Sequence, residues 1–385
     1  MLFVSFHKKW FAFGILAVTV TAAPIRVAIF KGTGGGGDSW HDNIHTASAA
    51  VISILANPAA ADLGANLVVP ADGFVVSEYG TTTGTTKPTA PQIAAFMAAL
   101  DSVQVVVIPS LTDIGAVLTG ADRVKLETFA QTKGLVSLHF TIDHKSRWAE
   151  WAALHGATFR NHPMTDRSGT VYLDTLAKND PNWKLLNRGL PDTARFTEEL
   201  VFFVEAPAAI RTHPQLKVTV NLNEASVESG LGGIAAMGDH PLSWYRELPG
   251  GGRFFFTALG HRPQHYTGVS SGSTPGTYYI RRQIYNAIVW AARRDSLGNP
   301  VTVAPAAREP DAPQITIRAL DSKLVVDVSE PGSYTVEVLT PNGKRTAMRR
   351  GFGTGRFAFS GLSAGSVYMV RVKTRHETHT KLALP

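Results

Sequence analysis

The stretch Ile25-Arg26-Val27-Ala28-Ile29-Phe30-Lys31-Gly32-Thr33-Gly34-Gly35-Gly36-Gly37 decides how the chain is read. Residues 25–30 are an apolar run of the kind buried on both faces inside a parallel sheet. The glycines that follow form a loop. Residues 43–56 then read as a helix, with Asp42 as its N-cap. The alternation continues outward from there. Residues 66–69 read as a second strand, 81–89 as a Thr/Gly/Pro loop and 92–100 as a helix. Residues 103–109 form a third strand, 121–132 an amphipathic helix stopped by Gly134, and 135–139 a fourth strand. Strands separated by helices in this order predict an α/β fold with a doubly wound, mainly parallel sheet.

Ligands of such sheets sit beyond the carboxyl ends of the strands. Those tips carry residues 32–42, 109–113 and 139–144, which gather polar and His-containing loops on one edge. The second half is less regular, with strands at 170–173, 199–204, 218–222, 242–248 and 253–259 and a closing helix at 277–294. Four prolines between 300 and 313 mark a linker. Beyond it, seven short alternating strands and the turn Pro341-Asn342-Gly343 predict a small β-sandwich over 314–385.

Residues 1–22 have the pattern of a secretory signal: Lys8 and Lys9, then an apolar run, then Val20 and Ala22 at a cleavage site. The expected domains are thus 1–22 as signal peptide, 23–299 as the α/β domain, 300–313 as linker and 314–385 as the sandwich. The expected location is outside the bacterial cytoplasm, secreted or at the cell surface. Absence of Cys removes disulfides, thiolate metal sites and Cys nucleophiles. The net charge of +7 is unevenly spread. Residues 23–304 hold 23 Lys and Arg against 23 Asp and Glu, whereas 305–385 hold 12 against 7. A neutral large domain argues against nucleic acid and for a small neutral ligand.

Gly32–Gly37 satisfies G-x-G-x-x-G, but Asp38 and Asp42 precede the helix and would repel a phosphate, so no nucleotide cofactor is expected. Five histidines stand in distinctive settings: His41 beside Asp42, His139 ending a strand, His162 before Pro163, His240 before Pro241, and His261 beside Arg262. Imidazoles suit acid–base work or a divalent, zinc-like ion. Glu198 and Glu199 are the acid candidates, and on an extended strand one of them faces solvent. Trp40, Trp148, Trp151 and Trp244 are either core residues or platforms for sugar rings. Ser137 lies on the same strand face as His139 without a triad, and no G-x-S-x-G elbow occurs.

The same segments carry a resemblance to the ThuA-like (trehalose utilisation) family, of the class I glutamine amidotransferase-like, flavodoxin-like fold. They are residues 32–42, Gly134 to His139 with Asp143, the G-x-x-F-x-x-H-P segment 156–163, residues 196–203 and 221–224, and DHPLSWYRELPGGGRFFFTALGHRPQHY at 239–266. Glu198 stands where that family usually has Asp, and Leu200–Val201 replaces its usual aromatic. The resemblance implies a site built from His41, Asp42, His139, Asp143, His162, Glu199, His240 and His261. Amidotransferases of this fold place a Cys nucleophile after the strand that here ends at His139, so glutamine hydrolysis is excluded. The expected function is an enzyme acting on a neutral saccharide or keto-sugar, the alternative a non-catalytic sugar-binding protein. The expected acid–base residues are His139, His261, Glu199 and Asp42. Expected substrate contacts are His41, Asp143, Trp148, His162, His240 and Arg262, and the expected metal ligands His41, His139 and His240. The C-terminal module resembles type A sorting domains of type IX secretion, through residues 334–338, 342–344, 361–365 and 368–372, which implies secretion or cell-surface machinery as its partner.

Overall fold

The computed structural model describes residues 23–34, 43–83, 85–143, 147–267, 276–295, 298–300, 314–320, 323–363, 365–374 and 378–383. The expected signal segment, most of the Gly-rich loop with Trp40, His41 and Asp42, His144 and residues 301–313 of the expected linker lie outside the described residues.

The first half follows the predicted alternation: β1 (Ile25–Lys31), α1 (Asn43–Ala56), β2 (Phe74–Gly80), α2 (Ala90–Ala99), β3 (Val105–Pro109), α3 (Ile114–Val117), α4 (Ala121–Thr132) and β4 (Gly134–Leu138). Strands β1, β3 and β4 are buried almost throughout, as their apolar runs require. The strand expected at 66–69 is not formed. That segment is coil, because side chains of the last long helix occupy its carbonyls: Arg282 donates to Asn66 and Tyr285 to Val68. The second strand is β2, a half-exposed edge strand.

The second half supplies α5 (Ala149–His155), β5 (Phe159–Asn161), β6 (Arg167–Leu173), α6 (Pro181–Leu186), β7 (Thr193–Glu198), β8 (Phe202–Phe203), α7 (Pro207–Arg211), β9 (Leu216–Asn223), β10 (His240–Glu247), β11 (Arg253–Thr257), α8 (Gln264–Thr267) and α9 (Gly276–Ala291). One sheet of nine strands runs β2-β1-β3-β4-β11-β10-β9-β6-β7. Its first five strands are parallel. From β11 onward every neighbour pairs antiparallel, so the parallel core carries a large antiparallel extension. The strand expected at 199–204 is interrupted: β7 ends at Glu198, and β8 pairs with β5 in a separate ribbon. This break decides the geometry of the site.

The C-terminal module has five strands where seven were expected: β12 (Gln314–Leu320), β13 (Lys323–Leu339), β14 (Arg345–Phe359), β15 (Tyr368–Lys373) and β16 (Thr378–Ala383). Two expected pairs of short strands merge into the long β13 and β14, which pair along their length with a register shift between Glu330 and Ser333. All pairings are antiparallel. The module has its own core of Leu324, Val326, Val328, Val336, Val338, Phe359, Val370 and Val372. Phe352 is instead buried in the core of the large domain, where β14 packs on α5.

Candidate active site

The site forms where β4, β7 and β11 end. β4 stops at Leu138, and His139 turns the chain with φ +48°, a left-handed backbone that a residue other than Gly adopts at a cost of about 1–3 kcal/mol. Its imidazole is fully buried, with Nδ1 2.8 Å from the Ala258 carbonyl just past β11. Because a carbonyl only accepts, Nδ1 carries the proton. Nε2 then faces Glu199 Oε2 at 3.2 Å. The other oxygen of Glu199, Oε1, lies 3.1 Å from His162 Nδ1, which also meets the Pro163 carbonyl at 2.8 Å. The His261 ring stacks on His139 with centroids 5.2 Å apart, and its Nδ1 is 3.1 Å from Asp166 Oδ1. Arg262 binds the second oxygen of Asp166 from a half-exposed position.

Glu198 holds this assembly together. Its carboxylate accepts backbone N–H groups from Glu199 at 3.0 Å, His261 at 2.9 Å and Gly260 at 2.7 Å, and pairs with His265 Nδ1 at 3.2 Å. Burial alone would raise its pKa, but His265, His139 and the Gly260 amide outweigh it and hold the group at about 2. Gly260 has φ +112°, and a Cβ there would lie 2.2 Å from the Tyr266 hydroxyl. The Gly260 carbonyl accepts from Asn43 Nδ2 at 2.6 Å, which ties the start of α1 to the same corner.

Burial also opposes ionisation of Glu199, yet His139, His261 and His162 keep its pKa below the ordinary value. For His261, burial disfavours the charged ring, but Asp166, Glu199 and Glu198 prevail and raise it to about 9. The corner therefore carries an excess of negative charge, balanced by a proton on His261 or by a cation in its place. His139, Glu199 and His261 each offer a ligand atom, all within 4.8 Å of one another. Two imidazoles and one carboxylate are a donor set that suits a zinc-like ion. The second contacts also fit, since metal-binding imidazoles commonly present their other nitrogen to a carbonyl or carboxylate, as Ala258 and Asp166 provide.

Several expected residues take other places. His240 is not a metal ligand: Nδ1 faces Glu224 Oε1 and Nε2 the Val201 carbonyl, both at 2.9 Å, so both nitrogens point at acceptors. It pins the segment after Glu199. Trp148 is not a sugar platform; it is buried, stacks on Trp151 and donates to Glu127 at 2.8 Å. Asp143 is buried just beyond the His139 turn, and its carbonyl accepts from the Asp113 amide. Of the expected metal ligands, His139 stands in the three-donor group and His41 falls outside the described residues, as does Asp42 of the expected acid–base residues. Ser137 bonds Thr141 and His155 in the core and has no catalytic setting.

Two carboxylates depart from the sequence reading. One of Glu198 and Glu199 was expected to face solvent, but the strand ends at Glu198 and both side chains are buried. Asp166 lies in a loop with no periodicity to mark it, three residues past the H-P pair. A cavity of about 510 Å³ beside Asp174, Asp180, Arg211 and Lys217 lies elsewhere, and its charges are paired with one another.

Among the solved structures similar to the chain are two ThuA-like proteins. A ThuA-like protein from Bacteroides uniformis ATCC 8492 is 17% identical with a TM-score of 0.48, over 72% of this chain and 96% of that one. A ThuA-like protein from Parabacteroides merdae ATCC 43184 is 15% identical with a TM-score of 0.45, over 70% and 90%. No curated protein matches. Residues 26–291 match the family described as ThuA, trehalose utilisation, and the chain belongs to that family.

Proposed function

We propose that the protein is an exported enzyme that processes a neutral saccharide or keto-sugar by acid–base chemistry, with a divalent zinc-like ion held by His139, Glu199 and His261. The observation that carries this reading is the convergence of those three donors within 4.8 Å at the ligand-binding edge of the sheet. A bound ion supplies polarisation of a sugar carbonyl or hydroxyl. Asp166 orients His261, and the Ala258 carbonyl fixes the tautomer of His139. His162, half-buried on the outer oxygen of Glu199, has Nδ1 engaged, which leaves Nε2 as the nitrogen able to take or give a proton at the substrate. Against simple sugar binding stands the aromatic inventory: among the described residues no Trp is exposed. The family's description supports a carbohydrate substrate, residues 1–22 support export, and the resemblance of the C-terminal module supports sorting or attachment at the surface.

The test is turnover of trehalose and a panel of disaccharides and keto-glycosides by the full chain, by His162→Ala and by His261→Ala. Loss in both variants with retained sugar binding supports the enzyme. Equal turnover in all three proteins removes this site from the chemistry.

A further inference from the structure

Beyond residue 22 the charge excess of the chain lies in its C-terminal module. Residues 314–385 hold 11 Lys and Arg against 5 Asp and Glu, while the large domain balances to zero. The sheet register collects much of that excess on one face. Directly opposed residues share a face of a sheet. Across β14, β13 and β15 this places Arg350, Thr335 and Lys373 in one row, and Met348, Glu337 and Arg371 in the next. The opposite face of the same strands carries Val336, Val338, Val370 and Val372, all buried in the core of the module.

Glu337 sits low in this face, its side chain 8% exposed, and is approached by three cations: Lys373 at 2.9 Å, Arg345 at 3.4 Å and Arg371 at 3.7 Å. One carboxylate cannot neutralise three cations. With exposed Arg350 beside them, the strands themselves keep a surplus of three positive charges, while Glu150 and Glu205 of the large domain line the grooves that Lys373 and Arg350 edge. The cations remain accessible, with side chains 45% exposed for Lys373 and 56% for Arg345. Surplus charge of one sign along a sheet face bordered by a groove is a match for a ligand carrying repeated charges of the other sign.

We propose that this face of the C-terminal module binds an anionic polysaccharide, through carboxylate or sulfate groups along the glycan. The two rows contain no aromatic side chain on which nucleobases could stack, and no helix is presented to a duplex groove. They likewise lack the aromatic anchors that favour a lipid surface. Hydroxyls between the cations, as at Thr335, suit a hydroxyl-rich polymer. The role is independent of the chemistry at His139.

The experiment uses the full chain on immobilised heparin and polygalacturonate, with neutral dextran, duplex DNA and anionic phospholipid vesicles as the other arms. Affinity is followed against salt for the unmodified protein, for Arg345→Ser/Arg350→Ser/Arg371→Ser, and for Lys87→Ser/Lys178→Ser/Lys184→Ser. The first triple variant keeps Lys373 to pair Glu337; the second removes the same charge from exposed positions of the large domain. The expected result is binding to both anionic glycans and none to dextran. The plot of log affinity against log salt should lose about three units of slope in the first triple variant only. The proposal is overturned if the unmodified chain binds neither anionic glycan or if both triple variants weaken equally. It is also overturned if duplex DNA or the vesicles bind more tightly than the glycans. Thermal melting of each variant separates loss of the face from loss of fold.

Discussion

Glu199 joins two histidines with its two oxygens, Oε2 lying 3.2 Å from Nε2 of buried His139 and Oε1 lying 3.1 Å from Nδ1 of half-buried His162. One carboxylate thus links an inner imidazole, closed off from solvent, to an outer one that a substrate can reach. The relationship exists because β7 stops one residue earlier, at Glu198.

Replacing His139 or His261 by Ala should lower turnover by about 10²–10⁴-fold, the range expected when acid–base or electrostatic support at the reacting centre is lost. His139→Asn serves as the backbone control, since Asn tolerates the left-handed conformation that His139 adopts. Steady-state kinetics with circular dichroism decide the matter. Near-normal turnover in His139→Ala contradicts the role given to it.

Glu198→Ala should destabilise the fold by about 3–5 kcal/mol, because it strands three backbone amides and His265 in a buried corner. Urea unfolding at neutral pH measures this. A change below about 1 kcal/mol means that the carboxylate does not hold the corner together.

The pair of Glu224 and His240 makes a pH prediction. His240 and the amides of Met237 and Gly238 overcome the effect of burial and hold the Glu224 carboxyl at about 2, below its ordinary value of 4.5. A depressed carboxylate contributes stability above its unfolded pKa and loses it as the folded pKa is approached. Stability should therefore fall as pH drops from about 4.5 to about 2, and Glu224→Gln should flatten that slope. Unfolding midpoints across this acid range test it, and an unchanged slope in the variant rules the pair out as its source.

His240→Ala should behave differently from His139→Ala. It removes two hydrogen bonds that pin Val201 and Glu224, so the expected effect is a loss of about 1–3 kcal/mol in stability. Bound metal should remain. Loss of metal in this variant, with the fold retained, would return His240 to the ligand set.

The parallel half of the fold was legible because β1, β3 and β4 are continuous apolar runs, buried on both faces and closed by helices with clear stops. The strand expected at 66–69 misled because Val68 and Leu67 are apolar for another reason: they pack on the core of the large domain, while Arg282 and Tyr285 of α9 take the local carbonyls. In the site, His139 and His261 were marked by their places at strand ends. The expectation that one of Glu198 and Glu199 faces solvent failed because alternation holds only while a strand continues, and β7 ends at Glu198. Asp166 had no pattern at all, since its partner His261 is 95 residues away and meets it only when the segment before β6 folds onto the loop after β11. The tryptophans followed the plain rule that a large indole is covered: Trp148, Trp151, Trp244 and Trp290 are each fully buried.

The central claim is that His139, Glu199 and His261 share one divalent ion, and elemental analysis of the purified full chain beside His139→Ala and His240→Ala tests it most directly. Near-stoichiometric metal is expected in the unmodified protein and in His240→Ala, and its loss from His139→Ala with the fold intact. Metal retained in His139→Ala, or a metal-free protein that turns over sugar at full rate, would contradict it.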